Sequence, residues 1–305
     1  MTSLPPPPCR PPARRRWLRQ AGAWPAALLA GCAAPWPEVP AGPGSPSAAA
    51  RLAESAAAQG LAAWRQVRDL SLDLLETPGR PASARADALQ LRWLPQQRLL
   101  AWQAAGTPAP LQGWRRWPAP GLGAVSGDGA DLRLWQAGEP VSDGAALAAA
   151  AALADLQRLL LLGPMALVDT AQPVNWAEPA TLDGRRCDQL TLDLSPGLGG
   201  GASSRLALFI DRDQALMRRL RVMAGAEQGR PDALAATWDL HDPVLLHGVY
   251  WPRGCRRSGP ARGPGQAPAA WRLRGLDLDR GLQFADQSAP PYSALAARPA
   301  AVLPG

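Results

Sequence analysis

The side chains best suited to metal binding or acid–base catalysis in this 305-residue chain are its two histidines. His241 and His247 lie six positions apart, and Asp239 closely precedes them. A histidine beside a carboxylate is typical of a catalytic dyad, and paired histidines are typical metal ligands. The same spacing fits histidines on a turn and a strand surface, and no His-Glu-x-x-His motif occurs. We therefore expect no metal site and no catalytic residue.

The basic residues exclude several enzyme classes. The chain has no lysine, so all 32 of its basic residues are arginines. A P-loop, a pyridoxal Schiff base, a protein kinase and a Ser-x-x-Lys site each need a lysine. A lipid-modifying hydrolase is disfavoured too, because no Gly-x-Ser-x-Gly motif is present. The expectation is a protein that is not an enzyme and has no cofactor.

Cys32 directly follows a segment that has the features of a cleavable signal peptide. Arg14-Arg15-Arg16 precedes an apolar segment from Ala21 to Ala30, and Leu29-Ala30-Gly31-Cys32 closes it. A basic stretch, an apolar stretch and small residues before a cut are the parts of a secretory signal peptide. The segment is too short for a membrane span, which needs roughly 20 apolar residues in a helix. These features predict export and cleavage just before Cys32.

The four residues Leu29 to Cys32 resemble the lipobox of bacterial lipoproteins. That resemblance implies that the Cys32 thiol carries a diacylglycerol and that an acyl chain is added to its new N-terminus. It also implies passage to the outer membrane, because Ala33 and not aspartate follows the cysteine. Residues 13–19 resemble the twin-arginine export signal, and the general secretory route fits equally well. We expect a lipid-anchored protein on the periplasmic face of the outer membrane.

Charge and composition divide the chain into a signal peptide (1–31), a tether (32–46), a folded body (47–290) and a tail (291–305). The tether is rich in Pro, Gly, Ala and Ser, which is typical of a flexible linker. Of the net charge of +7, +5 belongs to arginines of the signal peptide, which leaves +2 afterwards. A nucleic-acid partner is not expected, because it would require a strongly basic surface.

Hydrophobic periodicity predicts two helices and a series of strands. Helical spacing after Ser47 indicates a helix over 48–67, and an apolar run indicates another over 145–162. Alternation with a period of two indicates strands, with short polar turns between them. We place strands near residues 70–74, 89–93, 132–135, 189–194, 205–211, 215–223, 234–240, 245–251 and 271–279. A turn is expected at Asp242-Pro243, and a long loop over 254–268.

This order of elements resembles the LolA/LolB lipoprotein-localisation superfamily. The resemblance rests on the segments Leu182–Asp188 and Leu208–Asp211, on an arginine-rich return strand and on Gly248-Val249-Tyr250-Trp251-Pro252. It implies an α+β fold, mainly antiparallel β. The sheet would form a curved, incomplete β-barrel with an N-terminal helix and an inserted mid-chain helix. It also implies that the concave face holds acyl chains.

Tryptophans are the candidate ligand-binding residues. The chain has 13 Trp, two Phe and two Tyr, and Trp combines a large apolar surface with one hydrogen-bond donor. The alternative is that most of these side chains belong to an ordinary core. Trp135 points away from Leu132 and Leu134, which favours a position at a cavity rim. The tryptophans that we expect to line a lipid cavity are Trp93, Trp102, Trp135, Trp176 and Trp238.

Cys187 and Cys255 are candidates for a disulfide in an oxidising compartment. Buried free thiols are the alternative, since Cys255 falls in the expected loop.

The leading hypothesis is a membrane-anchored envelope lipoprotein that binds lipid or lipoprotein acyl chains in a hydrophobic cavity and is not an enzyme. The alternative is a structural or envelope-stress-sensing lipoprotein that binds a protein partner.

Overall fold

The structure is a computed structural model that describes residues 46–77, 88–105, 110–117, 132–170, 172–194, 196–200, 203–224, 233–258, 270–282 and 290–291. Cys32, the signal peptide, the tether before Pro46 and nearly all of the predicted tail lie outside the described residues. The helices are α1 (Ala48–Gln59), α2 (Leu61–Trp64), α3 (Gly144–Leu162) and α4 (Pro164–Leu167). The strands are β1 (Leu70–Thr77), β2 (Ala88–Leu94), β3 (Leu99–Ala105), β4 (Leu111–Arg116), β5 (Leu132–Gln136), β6 (Glu139–Pro140), β7 (Val174–Leu182), β8 (Arg185–Leu194), β9 (Ser204–Asp211), β10 (Met217–Ala224), β11 (Ala233–Leu246), β12 (Val249–Ser258) and β13 (Ala270–Leu278).

All thirteen strands belong to one sheet, in the order β6-β5-β4-β3-β2-β1-β13-β12-β11-β10-β9-β8-β7. Strands β1 and β13 pair antiparallel in the middle, so the first and last strands join two meanders. The sheet does not close, and β6 and β7 form its edges. The predicted fold class, a curved incomplete barrel with α+β content, is confirmed.

The strands alternate side chains between two faces. We call the face that packs against α1 and α3 the inner face, and the opposite one the outer face. On β1 the inner positions are Leu70, Leu72 and Leu74, each at most 1% exposed. They belong to the main apolar cluster, together with leucines of α3 and residues of α1 such as Leu52. The core therefore lies between the inner face and the two helices.

Helix α1 begins and ends at residues that suit helix termini. Ser47 accepts a hydrogen bond from the amide of Ala50 through Oγ, at 3.1 Å. The helix ends at Gly60, whose φ of 110° is left-handed, so the predicted helix over 48–67 is interrupted there. A Cβ at residue 60 would overlap the carbonyl oxygen of Gly248. Close approach to the β11–β12 turn thus requires glycine at this position.

Helix α3 connects the two edges of the sheet, since it lies between β6 and β7 in the chain. Asp143 caps its first turn by accepting from the amide of Ala145 at 3.1 Å, and Gly163 follows its last residue. Among the described residues it is the one helix with the length and composition of a membrane span. Most of it is buried inside the fold, as in a core helix, and its predicted range of 145–162 is confirmed within one residue.

A predicted turn and the start of a predicted loop are strand in the structure. Strand β11 continues through Asp242 and Pro243, and the hairpin turn lies at His247-Gly248 instead. Asp242 has a left-handed φ of 49°, so the backbone is irregular at the Asp-Pro pair although the strand continues through it. The loop expected from residue 254 does not begin there, because β12 extends to Ser258. Residues 259–268 of that loop lie outside the described residues.

Candidate functional site

Three of the predicted tryptophans lie on the inner face. Trp93 on β2, Trp102 on β3 and Trp238 on β11 are 3%, 3% and 7% exposed. All three belong to the same apolar cluster as Leu156 and Leu160 of α3. In this structure the inner face is therefore covered, and its indoles pack in a core that includes the helix.

Four indoles form a connected group within this core. Trp64 lies edge-on to Trp93, with ring centroids 5.5 Å apart, and edge-on to Trp251 at 6.0 Å. Trp93 stacks on Trp117 at 5.8 Å. The edge-on and the stacked arrangement are both favourable geometries for aromatic pairs. Trp64, Trp117 and Trp251 were not among the predicted ligand-binding residues, because period-two alternation locates a face of a strand but not its neighbours in space.

Some polar atoms of the inner core have no partner within the described part of the chain. The indole nitrogens of Trp102, Trp238 and Trp271 are buried, and no acceptor among the described residues pairs with them. Oε1 of Gln157 on α3 is likewise buried without a donor in that part of the chain. A buried polar group without a partner carries a desolvation penalty of about 1–3 kcal/mol. The covered state thus leaves donors on the inner face that a ligand or water would satisfy.

Asp155 is the main polar connection between α3 and the sheet. Its Oδ1 accepts from Nε of Arg115 on β4 at 2.7 Å and from the Trp117 indole at 2.6 Å. Its Oδ2 accepts from Nη2 of Arg115 at 3.1 Å and from the amide of Gly199 at 2.8 Å. The Asp155 side chain is only 10% exposed. One side chain therefore joins α3, β4 and the loop before β9.

The sequence carried one signal for this contact. Asp155 and Arg158 interrupt an otherwise apolar run, and buried charges are rare unless they are paired. The pattern identified them only as interruptions of a helix, since the partner Arg115 lies 40 residues away.

Trp135 is separated from the inner-face tryptophans. It is on the outer face, 3% exposed, in a second small apolar cluster with Leu94, Leu99, Ala101 and Trp114. The alternation along β5 correctly predicted that Trp135 lies on the face opposite to Leu132 and Leu134. The sequence did not show that the outer face has an apolar cluster of its own there.

Trp176 lies apart from the other predicted tryptophans along the sheet. It is half-buried on the edge strand β7 and packs against the main cluster. Its indole donates to the carbonyl of Pro46 at 3.2 Å, where the described chain begins.

Cys187 and Cys255 are both free and buried, so the candidate disulfide does not form. Cys187 is on β8 in an outer-face cluster with Ala207 and Phe209, whereas Cys255 is on β12 in the main cluster. Strands β9, β10 and β11 separate them. A disulfide requires Cα atoms within about 7 Å, which opposite faces and three intervening strands prevent.

The histidines lie on the β11–β12 hairpin. His241 is within β11, and His247 is exposed in the turn. Across the residues that the structure describes, no group of three or more His, Cys, Asp or Glu side chains is placed to hold a metal.

Two surface concavities are lined by both polar and apolar residues. The larger one, of about 310 Å³, is lined by residues that include Asp69, Gln96 and Asp279. The smaller one, of about 180 Å³, is lined by residues that include Asp73 and Arg92. None of the five predicted tryptophans lines either of them. If an acyl chain binds to the inner face, α3 or its neighbours must move.

The fold and this site define an open antiparallel half-barrel with a helix-covered, indole-rich inner face. A DUF1329 family protein from Desulfovibrio piger has a similar structure, with a TM-score of 0.53 and 13% identity over 82% of this chain and 100% of that one. At this identity the likeness is one of fold.

Two further solved structures are similar at lower scores. They are an outer membrane lipoprotein-sorting protein domain from Vibrio parahaemolyticus, with a TM-score of 0.48, and a LolA superfamily protein from Nitrosomonas europaea, with a TM-score of 0.45. Each is 9% identical over 77% of this chain, and the matches cover 93% and 94% of those chains. No family model and no curated protein matches the sequence.

Proposed function

We propose that this protein is a lipid-anchored envelope lipoprotein that binds an acyl chain between the inner face and α3, without catalysing a reaction. The observation that carries the proposal is the composition of this interface. Alanines and leucines of α3 cover an inner face of leucines and indoles, and the carboxylate of Asp155 joins the helix to β4. Apolar contacts are exchangeable, because a hydrocarbon chain buries the same kind of surface.

Binding in this proposal exchanges one apolar partner for another. When α3 moves away from the sheet, its leucines and the indoles lose contact with each other. An acyl chain then restores the buried apolar area, at about 0.8 kcal/mol for each buried CH₂ group. A chain of about a dozen carbons thus contributes about 10 kcal/mol toward the cost of displacing part of α3.

The lipobox-like segment supports the lipid anchor, which is the second part of the proposal. A lipid on Cys32 would hold the body beside the membrane that contains its ligands, with residues 33–46 as a spacer. The outer membrane, reached by either export route, is the proposed location. In cell fractionation, Cys32→Ala should release the protein from membranes, and persistence with the outer membrane would exclude this anchor.

A protein partner has less support from the described surface. Leu245, at 54% exposure, is the one large apolar side chain classed as exposed within that part of the chain. We therefore propose acyl binding rather than a protein interface as the primary activity.

Native mass spectrometry of the full chain carrying Cys32→Ala tests acyl binding. We expect a stoichiometric lipid adduct after purification or after incubation with palmitate. A protein that carries no lipid and takes up none would contradict the proposal.

A further inference from the structure

Two arginines and one aspartate lie where α3 packs against the sheet. Asp155 pairs with Arg115 on β4, and Arg158 follows it three residues later on α3. Arg115 holds both carboxylate oxygens of Asp155, and the Trp117 indole and the Gly199 amide occupy them as well. These four donors use the acceptor capacity of one carboxylate.

Arg158 has no carboxylate of its own among the residues that the structure describes. Among the described residues, no Asp or Glu oxygen lies within the 4.0 Å of an ion pair with its guanidinium. Its Nη2 donates to the carbonyl of Ala166 at 3.2 Å, and its guanidinium lies 5.0 Å from the ring centroid of Trp117. A neutral carbonyl and an indole face are weak substitutes for an anion.

The surroundings of Arg158 favour an anion. Burial lowers the pKa of Arg158; Asp155 opposes that effect, and Arg115 adds to it. An arginine stays protonated even so, which leaves one positive charge in excess beside the stacked rings of Trp117 and Trp93. A partly desolvated charge without a counter-ion is unfavourable, so an entering anion gains more here than at an exposed arginine.

We propose that Arg158 receives an oxyanion at the head of the bound lipid, so that the ligand is an anionic amphiphile. This inference rests on the proposed function, because the acyl chain must first enter between α3 and the inner face. The planar guanidinium pairs with a carboxylate or a phosphate through two parallel hydrogen bonds. The carboxylate of a free fatty acid and the phosphate of a phospholipid share this chemistry.

A comparison of ligands on the full chain carrying Cys32→Ala tests the inference. Palmitic acid, its methyl ester and a lysophosphatidic acid with the same chain compete against a fluorescent acyl probe. We expect both anions to bind roughly 10- to 100-fold more tightly than the ester, the range of one charge-assisted contact. The tighter of the two anions identifies the source of the headgroup.

Arg158→Met isolates the contribution of the guanidinium. We expect it to abolish the preference for the anions and to leave ester binding within about twofold, since Met retains the apolar stem. Arg133→Met is the matched control, because Arg133 is an exposed arginine paired with Trp114 across the outer face. It should keep the wild-type preference.

The outcomes separate the two proposals. Equal binding of acid and ester by the protein with Arg158 intact overturns the inference and leaves acyl binding standing. Failure of every ligand to bind contradicts the proposed function itself. The comparison of acid with ester needs no substitution at Arg158, so it decides the question even if Arg158→Met does not fold.

Discussion

Arg115 and Asp155 join a sheet strand to the covering helix through two hydrogen bonds, from Nε to Oδ1 at 2.7 Å and from Nη2 to Oδ2 at 3.1 Å. The pair is largely buried, with side chains 18% and 10% exposed. Such bidentate contacts define one orientation of the two elements. The Arg115–Asp155 pair therefore holds α3 on the sheet in one orientation.

Asp155→Asn should loosen α3. Removal of one partner of a buried ion pair leaves the other charge uncompensated, at a cost of about 3 kcal/mol in the free energy of unfolding. We expect faster amide hydrogen exchange over 144–162 than in the wild type. Asp169→Asn is the control, because the Arg65–Asp169 pair is exposed, and its effect should stay below about 1 kcal/mol. Unchanged exchange in α3 would contradict the role of Asp155.

Gly113→Ala should disturb Trp102 selectively. A Cβ at residue 113 would overlap the six-membered ring of Trp102, which lies across the glycine on the neighbouring strand. Overpacking of this kind lowers the free energy of unfolding by about 1–3 kcal/mol. Gly144→Ala is the control, because a Cβ there meets nothing within 4 Å. Equal stability of the two variants, measured by denaturant unfolding, would contradict the packing described.

The two body cysteines should stay reduced and unreactive in the folded protein. Burial raises the pKa of both the Cys187 and the Cys255 thiols, and nearby Asp211 and Asp239 respectively add to the increase. A thiol with a raised pKa is a poor nucleophile at neutral pH. Peptide mapping should find both alkylated only after unfolding, without any reductant. A peptide pair that requires reductant would indicate the disulfide that the structure excludes.

Acid should destabilise the fold through Asp211. Burial raises the pKa of this carboxyl, but amide hydrogen bonds from Gln214 and Asp213, with Arg218 and Arg185, lower it below its usual value. A lowered pKa contributes stability above about pH 4, and that stability is lost as the pH falls through the folded-state value. Asp211→Asn should therefore flatten the acid limb of a stability–pH curve. An acid limb as steep as that of the wild type would exclude Asp211 as its source.

Alternation and capping predicted much of the fold, because they depend on local chemistry. Leu70, Leu72 and Leu74 define one face of β1, and α3 was placed within one residue of its observed start. Contacts between residues that are distant in sequence could not be predicted from these patterns. The Asp155–Arg115 pair, the separation of Cys187 from Cys255 and the outer cluster around Trp135 depend on which strands become neighbours. The order of the strands was not predicted, so these features were missed or misplaced.

Trp102 and Trp135 provide the most direct test of acyl binding to the inner face, since both are 3% exposed but lie on opposite faces. Each is changed to Leu in the full chain carrying Cys32→Ala, and a fluorescent fatty acid is titrated into both variants. We expect Trp102→Leu to weaken binding about tenfold, because the variant loses aromatic area at the ligand surface. Trp135→Leu should retain wild-type affinity. Equal affinities of the two variants, or no saturable binding by the parent chain, would contradict acyl binding to the inner face.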